Sequence, residues 1–192
     1  MAVWAPGATG GWGPGRRSEL APARAEGVSW PQHLRKAAWP RDPQYTPGTP
    51  EYEARIGELS EDPAHGGASN PKSVREAQVG LQLEADGQVG PLVRAPLDAA
   101  GADQGEFIDT STGQRWDVKS SPDAIPSYGE GAGTPIRSPQ TVGQFTRMIN
   151  ASLETGENVM LDPDGMSPGR LAQLQQVVAD NPQGLGKVLW GS

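Results

Sequence analysis

A chain of 192 residues with 35% hydrophobic content, 26 Gly and 19 Pro has material for one domain plus a segment too poor in apolar residues to fold by itself. Having no cysteine, it has no disulfide, thiolate metal site or cysteine nucleophile. Its formal net charge of −7 argues against a broad electrostatic grip on nucleic acid.

The Gly and Pro surplus is concentrated at the start. Residues 1–50 hold seven Gly and eight Pro, and their apolar residues follow neither a helical nor a strand period. Such a segment cannot bury enough apolar surface to offset the entropy of ordering it. Residues 1–69 are therefore expected to form a Pro/Gly-rich leader or linker, and residues 70–192 the folded domain. Four of the six tryptophans, Trp4, Trp12, Trp30 and Trp39, fall in the leader, either as short docking elements or as incidental aromatics. A short helix is expected over 50–59, because Tyr52, Ile56 and Leu59 recur at helical spacing. His33 and His65 lack partners at metal spacing and are read as solvated. The first residues lack a basic stretch and an apolar run, so no secretory signal is expected. No apolar run is long enough to span a membrane. Residues 1–70 carry seven basic and eight acidic groups, and residues 71–192 carry nine and fifteen. The negative excess belongs to the domain.

Regular periodicity starts near Asn70. Ser73 with Glu76 three residues on reads as a capping box, followed by Val74, Ala77, Leu81 and Ala85 on one face and a stop at Asp86-Gly87. Val89 to Arg94 reads as a strand, and residues 97–105 as a loop. Glu106 to Asp109, the turn Thr110-Ser111-Thr112-Gly113, and Gln114 to Lys119 predict a β-hairpin. Residues 120–138, rich in Ser, Pro and Gly, predict a long loop that is either a functional lid or disordered. Then come a helix from Pro139 to Thr155 (Val142, Phe145, Ile149 and Leu153 inward), a strand Glu157–Asp162, a helix Ser167–Asp180 (Leu171, Leu174 and Val178 inward) and a strand Lys187–Trp190. The order α, β, β, β, α, β, α, β predicts an α/β fold with a mixed central sheet flanked by helices, parallel near the C-terminus and antiparallel at the hairpin.

The hairpin carries the chemistry. Asp109 and Asp117 lie four residues on either side of Gly113, so a turn centred there sets them opposite each other, with Cβ atoms roughly 4.5–5.5 Å apart. Two carboxylates at that spacing repel unless a cation lies between them, and a hard divalent ion suits them. Lys119 leaves the same strand face as Asp117, where an ammonium can hold an attacking water or steady a phosphate. Glu76 supplies a third carboxylate if its helix packs over the sheet. This set suits phosphodiester hydrolysis. Each member also has a simpler reading: Asp117 and Lys119 as a solvated strand face, Glu76 as the capping-box acid. Gln140 and Gln144 are either nucleic-acid contacts or surface residues.

The helix Ser73-Val74-Arg75-Glu76 continuing to Gly87, the strand end Phe107-Ile108-Asp109, and Trp116-Asp117-Val118-Lys119 resemble the PD-(D/E)xK, or restriction-endonuclease-like, nuclease superfamily. They are similar in particular to the C-terminal toxin domains of bacterial polymorphic and contact-dependent growth inhibition toxins. The likeness covers residues 70–192 and none of the leader. It implies Glu76, Asp109 and Asp117 as ligands of Mg²⁺ or Mn²⁺ and Lys119 as the catalytic lysine. The family often places its first hairpin acid just before the strand's apolar residues, here Glu106, whereas turn symmetry favours Asp109. The expected function is a metal-dependent nuclease toxin acting on tRNA or DNA. The resemblance also implies a cognate immunity protein and action in the cytoplasm of a target bacterium. Against the acidic balance, Arg75, Arg94, Arg115, Lys119, Arg137 and Arg147 could build a local positive cleft. The alternative is a non-enzymatic protein-binding module on the same fold, docking through the Trp-bearing leader. Ser/His/Asp catalysis is unsupported because both histidines lie in the leader, and no phosphate-cradling Gly loop is present.

Overall fold

The computed structural model describes residues 42–191; Trp4, Trp12, Trp30, Trp39 and His33 lie outside them. Helix α1 (Pro50–Ser60) starts at a Thr49 cap with Pro50 in its first turn, as the periodicity of Tyr52, Ile56 and Leu59 predicts. Helix α2 (Pro71–Ala85) opens differently from the expected Ser73–Glu76 box. Asn70 accepts from the amides of Lys72 and Ser73, and Ser73 Oγ accepts from the Asn70 amide at 2.9 Å. Asn is a strong cap, and Pro71 fills a position where no amide is needed, so the helix starts ahead of Ser73. Glu76 is thereby released from capping.

Strands β1 (Leu92–Arg94), β2 (Phe107–Asp109), β3 (Arg115–Ser120), β4 (Asn158–Asp162) and β5 (Val188–Trp190) lie in that order in one sheet. The β1–β2 and β2–β3 pairs are antiparallel, and β3–β4–β5 run parallel. Helices α3 (Val142–Glu154) and α4 (Pro168–Ala179) connect the parallel strands. The fold is α/β with a mixed sheet, as the order of elements predicts.

Alternation along the strands divides the core into two layers. Trp116 and Val118 of β3 and Met160 of β4 pack with Ile56, Leu59, Ala77, Leu81 and Leu83 of α1 and α2. Val159 and Leu161, one step out of phase, pack with Phe145, Ile149 and Leu174 of α3 and α4. The folded unit begins earlier than the expected boundary at residue 70. Ile56 and Leu59 are 6% and 1% exposed, Tyr45 packs on the same cluster, and its hydroxyl donates to Glu84 at 2.8 Å. Composition averaged over residues 1–69 hides this, because a few well-spaced apolar residues suffice to bury one helix face.

The long β3–α3 connection is ordered by hydrogen bonds rather than by regular structure. Ile125 N donates to Thr134 O, Gly133 N to Ile125 O and Ile136 N to Asp123 O, each at 2.8 Å. The Asp123 carboxylate accepts from Ser167 N and Oγ at 2.7 and 2.5 Å. Arg170 holds both ends, donating to Ser121 O at 3.1 Å and Gln140 O at 2.6 Å.

Truncating Leu59 to Ala removes a fully buried side chain and is expected to cost about 2–5 kcal/mol in urea unfolding followed by circular dichroism. A chain begun at Asn70 should lose cooperative unfolding altogether. A cooperative transition at the full chain's midpoint would show that α1 is an accessory.

Candidate active site

Strand β3 sends Trp116 and Val118 into the α1–α2 layer, so Asp117 and Lys119 leave by the other face. Asp117 is 6% exposed. Its Oδ2 accepts from Ser152 Oγ on α3 at 2.6 Å and lies 2.6 Å from Lys119 Nζ.

The residue brought against Asp117 is Glu106, and Asp109 is not part of the grouping. Phe107 pairs with Trp116 and Ile108 with Arg115, while Asp109 N donates to Gln114 O at 2.9 Å. Asp109 thus sits three residues short of the Asp117 partnership that a turn centred on Gly113 would give. Its own carboxylate is the reason. Oδ1 accepts from Ser111 N and Oγ at 2.8 and 2.6 Å, and Oδ2 from Gly90 N at 2.9 Å. An aspartate that bonds the backbone just ahead of it makes a tight turn, and that turn is centred between Ser111 and Thr112 rather than on Gly113. These donors also hold the Asp109 pKa below its ordinary value although burial opposes it. Asp109 is therefore a turn-former, and the expectation that it faces Asp117 is corrected.

Glu106 is placed by the backbone. Its amide donates to Trp116 O at 2.9 Å, its carbonyl accepts from Ala95 N, and its Oε2 accepts from Val118 N at 2.7 Å. Gly105 just before it has φ +86°, and a Cβ there would lie 2.9 Å from Trp116 O. Only glycine fits that bend without strain. Glu106 is 8% exposed. Burial, a hydrogen bond with Asp117 and the charges of Asp117 and Glu76 push its pKa up, from 4.5 to about 9. Burial also opposes ionisation of Asp117, but the bonds from Glu106, Lys119 and Ser152 prevail and hold its pKa low. Two carboxyls confined together titrate as a pair, and here the proton is favoured on Glu106 over Asp117.

Glu76, 5% exposed, reaches the same neighbourhood from α2. Its Oε1 lies 2.6 Å from Lys72 Nζ and its Oε2 3.5 Å from Arg94 Nη1. Lys72 feels the charges of both Glu76 and Glu106, so it faces the grouping from α2 while Lys119 faces it from β3. Burial works against both ammonium groups, yet the carboxylates raise the pKa of each. Asp117 and Lys119 are thus in contact with each other and with Glu106 and Ser152, while Glu76, paired with Lys72, acts on Glu106 through its charge. Lys72 was legible as the residue one helical turn before Glu76; nothing in the sequence marked Ser152. Among the described residues, no group of three or more His, Cys, Asp or Glu is already gathered as a cage for a metal ion.

The expected positive cleft shrinks. Arg75 grips Asp162 with Nε at 3.1 Å and Nη2 at 2.6 Å. Arg94 binds Asp62 as well as Glu76, and Arg115 pairs with Glu157 at 3.7 Å. Gln144 Oε1 caps α3 through Thr141 N at 2.8 Å. Gln140 lines a cavity of about 410 Å³ with Ser120, Ser121 and Ser138, just past Lys119 along the chain.

Glu106 gives the metal-free protein a signature in its stability. Its folded pKa of about 9 exceeds the ordinary 4.5, so between roughly pH 5 and 9 the folded state holds a proton that the unfolded state lacks. Stability from this group is present below that window and falls as pH rises through it. In EDTA, urea midpoints of Glu106→Gln should lose that downward slope relative to the unmodified chain. Parallel pH profiles would mean that the carboxyl pair shares no proton. The chain matches no protein-family model, no curated protein and no solved structure.

Proposed function

We propose that this domain is a divalent-metal-dependent nuclease hydrolysing phosphodiester bonds of tRNA or DNA, acting as a toxin restrained by a cognate immunity protein. The observation that carries the proposal is the grouping of Glu106, Asp117 and Lys119 on adjoining strands, with Glu76 and Lys72 brought to it by α2. Strong pKa perturbation by neighbouring charge and burial is characteristic of sites that do chemistry.

The donor chemistry of these residues suits a hard cation, although the described residues do not already enclose a site for one. Glu76 Oε1 is buried and, apart from its ion pair with Lys72, makes no directed hydrogen bond. Glu106 and Asp117 crowd their oxygens against each other, and carboxylate oxygen is the donor that Mg²⁺ or Mn²⁺ prefers. Glu76, Glu106 and Asp117 would hold it. Bound there, the ion would polarise a phosphoryl oxygen and neutralise the charge that develops on it.

The chain's own groups do the rest. Lys119 donates protons from an ammonium fixed by Asp117, so it orients an attacking water or steadies a non-bridging phosphate oxygen. Ser152 fixes the Asp117 carboxylate from below. Lys72, with its side chain 68% exposed, offers the incoming phosphate a second positive charge.

Incubating the purified chain with tRNA and with plasmid DNA, with Mg²⁺ or EDTA, tests this. Metal-dependent cleavage is expected, falling by about 100-fold or more in Lys119→Ala and in Glu106→Gln. Asp109→Asn should keep cleavage at temperatures where it remains folded. Loss of activity in Asp109→Asn with full activity in Glu106→Gln would restore Asp109 as the hairpin acid. Cleavage of neither polymer would sink the nuclease reading and favour a protein-binding module.

A further inference from the structure

We propose that the cavity beside Tyr128 is a subsite for one unpaired nucleotide, so that the nuclease proposed above acts on single-stranded or looped-out stretches. The inference rests on that reading and adds the class of substrate to it.

The cavity measures about 610 Å³, within the range of small-ligand sites, and its lining includes Asn70, Val74, Arg75, Gln78, Ser127 and Tyr128. It offers an aromatic face and a Val74 wall for a flat ring, with amide and hydroxyl groups around them for a base edge. Its link to the candidate site runs through α2 and through charge. Lys72 and Glu76 lie one helical turn apart on α2, the helix that supplies Asn70, Val74 and Gln78, and both charges act on the Tyr128 hydroxyl. A base lodged beside Tyr128 would carry its phosphate toward Lys72.

Tyr128 is held out rather than left loose. It is 37% exposed, yet Ser127 beside it is fixed to Asp164 Oδ2 through both its amide, at 2.8 Å, and its hydroxyl, at 2.7 Å. Gly165 presses on the same loop: with φ +75°, a Cβ there would lie 2.5 Å from Ala124 O and 3.2 Å from Pro126 Cα. An exposed aromatic on a pinned loop loses little freedom on stacking, which makes it an economical contact.

Charge favours the same conclusion. Arg75, Arg94 and Arg115 are engaged by Asp162, by Asp62 and Glu76, and by Glu157, so these three guanidinium groups are already committed within the domain. A duplex keeps its bases stacked inside and would offer this surface only its phosphates. An unpaired base presents its π-face, and stacking on an aromatic contributes to binding whatever the sequence.

Fluorescence anisotropy on the full chain in EDTA, where cleavage is blocked, tests the subsite. The probes are a short labelled oligoribonucleotide, the oligodeoxyribonucleotide of the same sequence, and the duplex of the latter. One or both single strands should bind about tenfold more tightly than the duplex. Tyr128→Ala should weaken single-strand binding about tenfold, and Tyr128→Phe, which keeps the ring, should bind like the unmodified chain. Comparison of the two single strands identifies the sugar. Equal or tighter duplex binding, no binding of any probe, or unchanged affinity in Tyr128→Ala would overturn the subsite. The two proposals separate in Mg²⁺. Tyr128-dependent single-strand binding without cleavage leaves the subsite standing and removes the nuclease. Equal cleavage of duplex and single strand, unaffected by Tyr128→Ala, does the reverse.

Discussion

The Asp109 carboxylate sets the strand register on which the placing of the other acids depends. By accepting from Ser111 N, Ser111 Oγ and Gly90 N, it closes the hairpin early and fixes the register of β2 on β3. Because side chains alternate with a period of two, a shift of one residue would turn a strand's polar set toward the other face. The register adopted leaves Trp116 and Val118 in the core and brings Glu106 against Asp117. One turn geometry thus specifies both the apolar layer and the acid pair, so the two cannot vary independently.

The acid pair is tolerated because its surroundings divide the cost. Isolated buried carboxylates would be strongly unfavourable. Here one proton, the Lys119 ammonium, the Ser152 hydroxyl and the Val118 amide share the load. Glu76 is balanced separately by Lys72 and Arg94. These groups carry their own counter-charges, which is how an acidic domain can keep Glu76, Glu106 and Asp117 buried without unfolding.

Much of the fold was legible because periodicity depends only on which residues are apolar. Ile56 and Leu59 in α1, Phe145 and Ile149 in α3, and the run Val159 to Leu161 in β4 announce their elements directly. Element order then implied the mixed sheet. The failures share a cause: each turned on a competition between local hydrogen bonds. Asn70 outcompetes Ser73 for the start of α2, and the Asp109 side chain outcompetes a turn centred on Gly113. At the site, Asp117, Lys119 and Glu76 stand out in the sequence, and Glu106 was visible as the competing acid. Symmetry of spacing set Asp109 opposite Asp117 because it ignored what the Asp109 side chain itself bonds. The folded unit's early start at α1 was lost for a different reason, since averaging over a Gly- and Pro-rich stretch conceals Tyr52, Ile56 and Leu59 in register.

Arg170 has a consequence for how this protein can change. One guanidinium holds Ser121 where the β3–α3 connection leaves the sheet and Gln140 where it returns. The ends of the excursion are therefore tied together independently of the residues between them, and lengthening a loop whose ends are already joined adds little entropic penalty. The rim carrying Tyr128 can be rewritten residue by residue while the sheet beneath it stays as it is. Variation in the rim and constancy in the scaffold are separated by a single side chain.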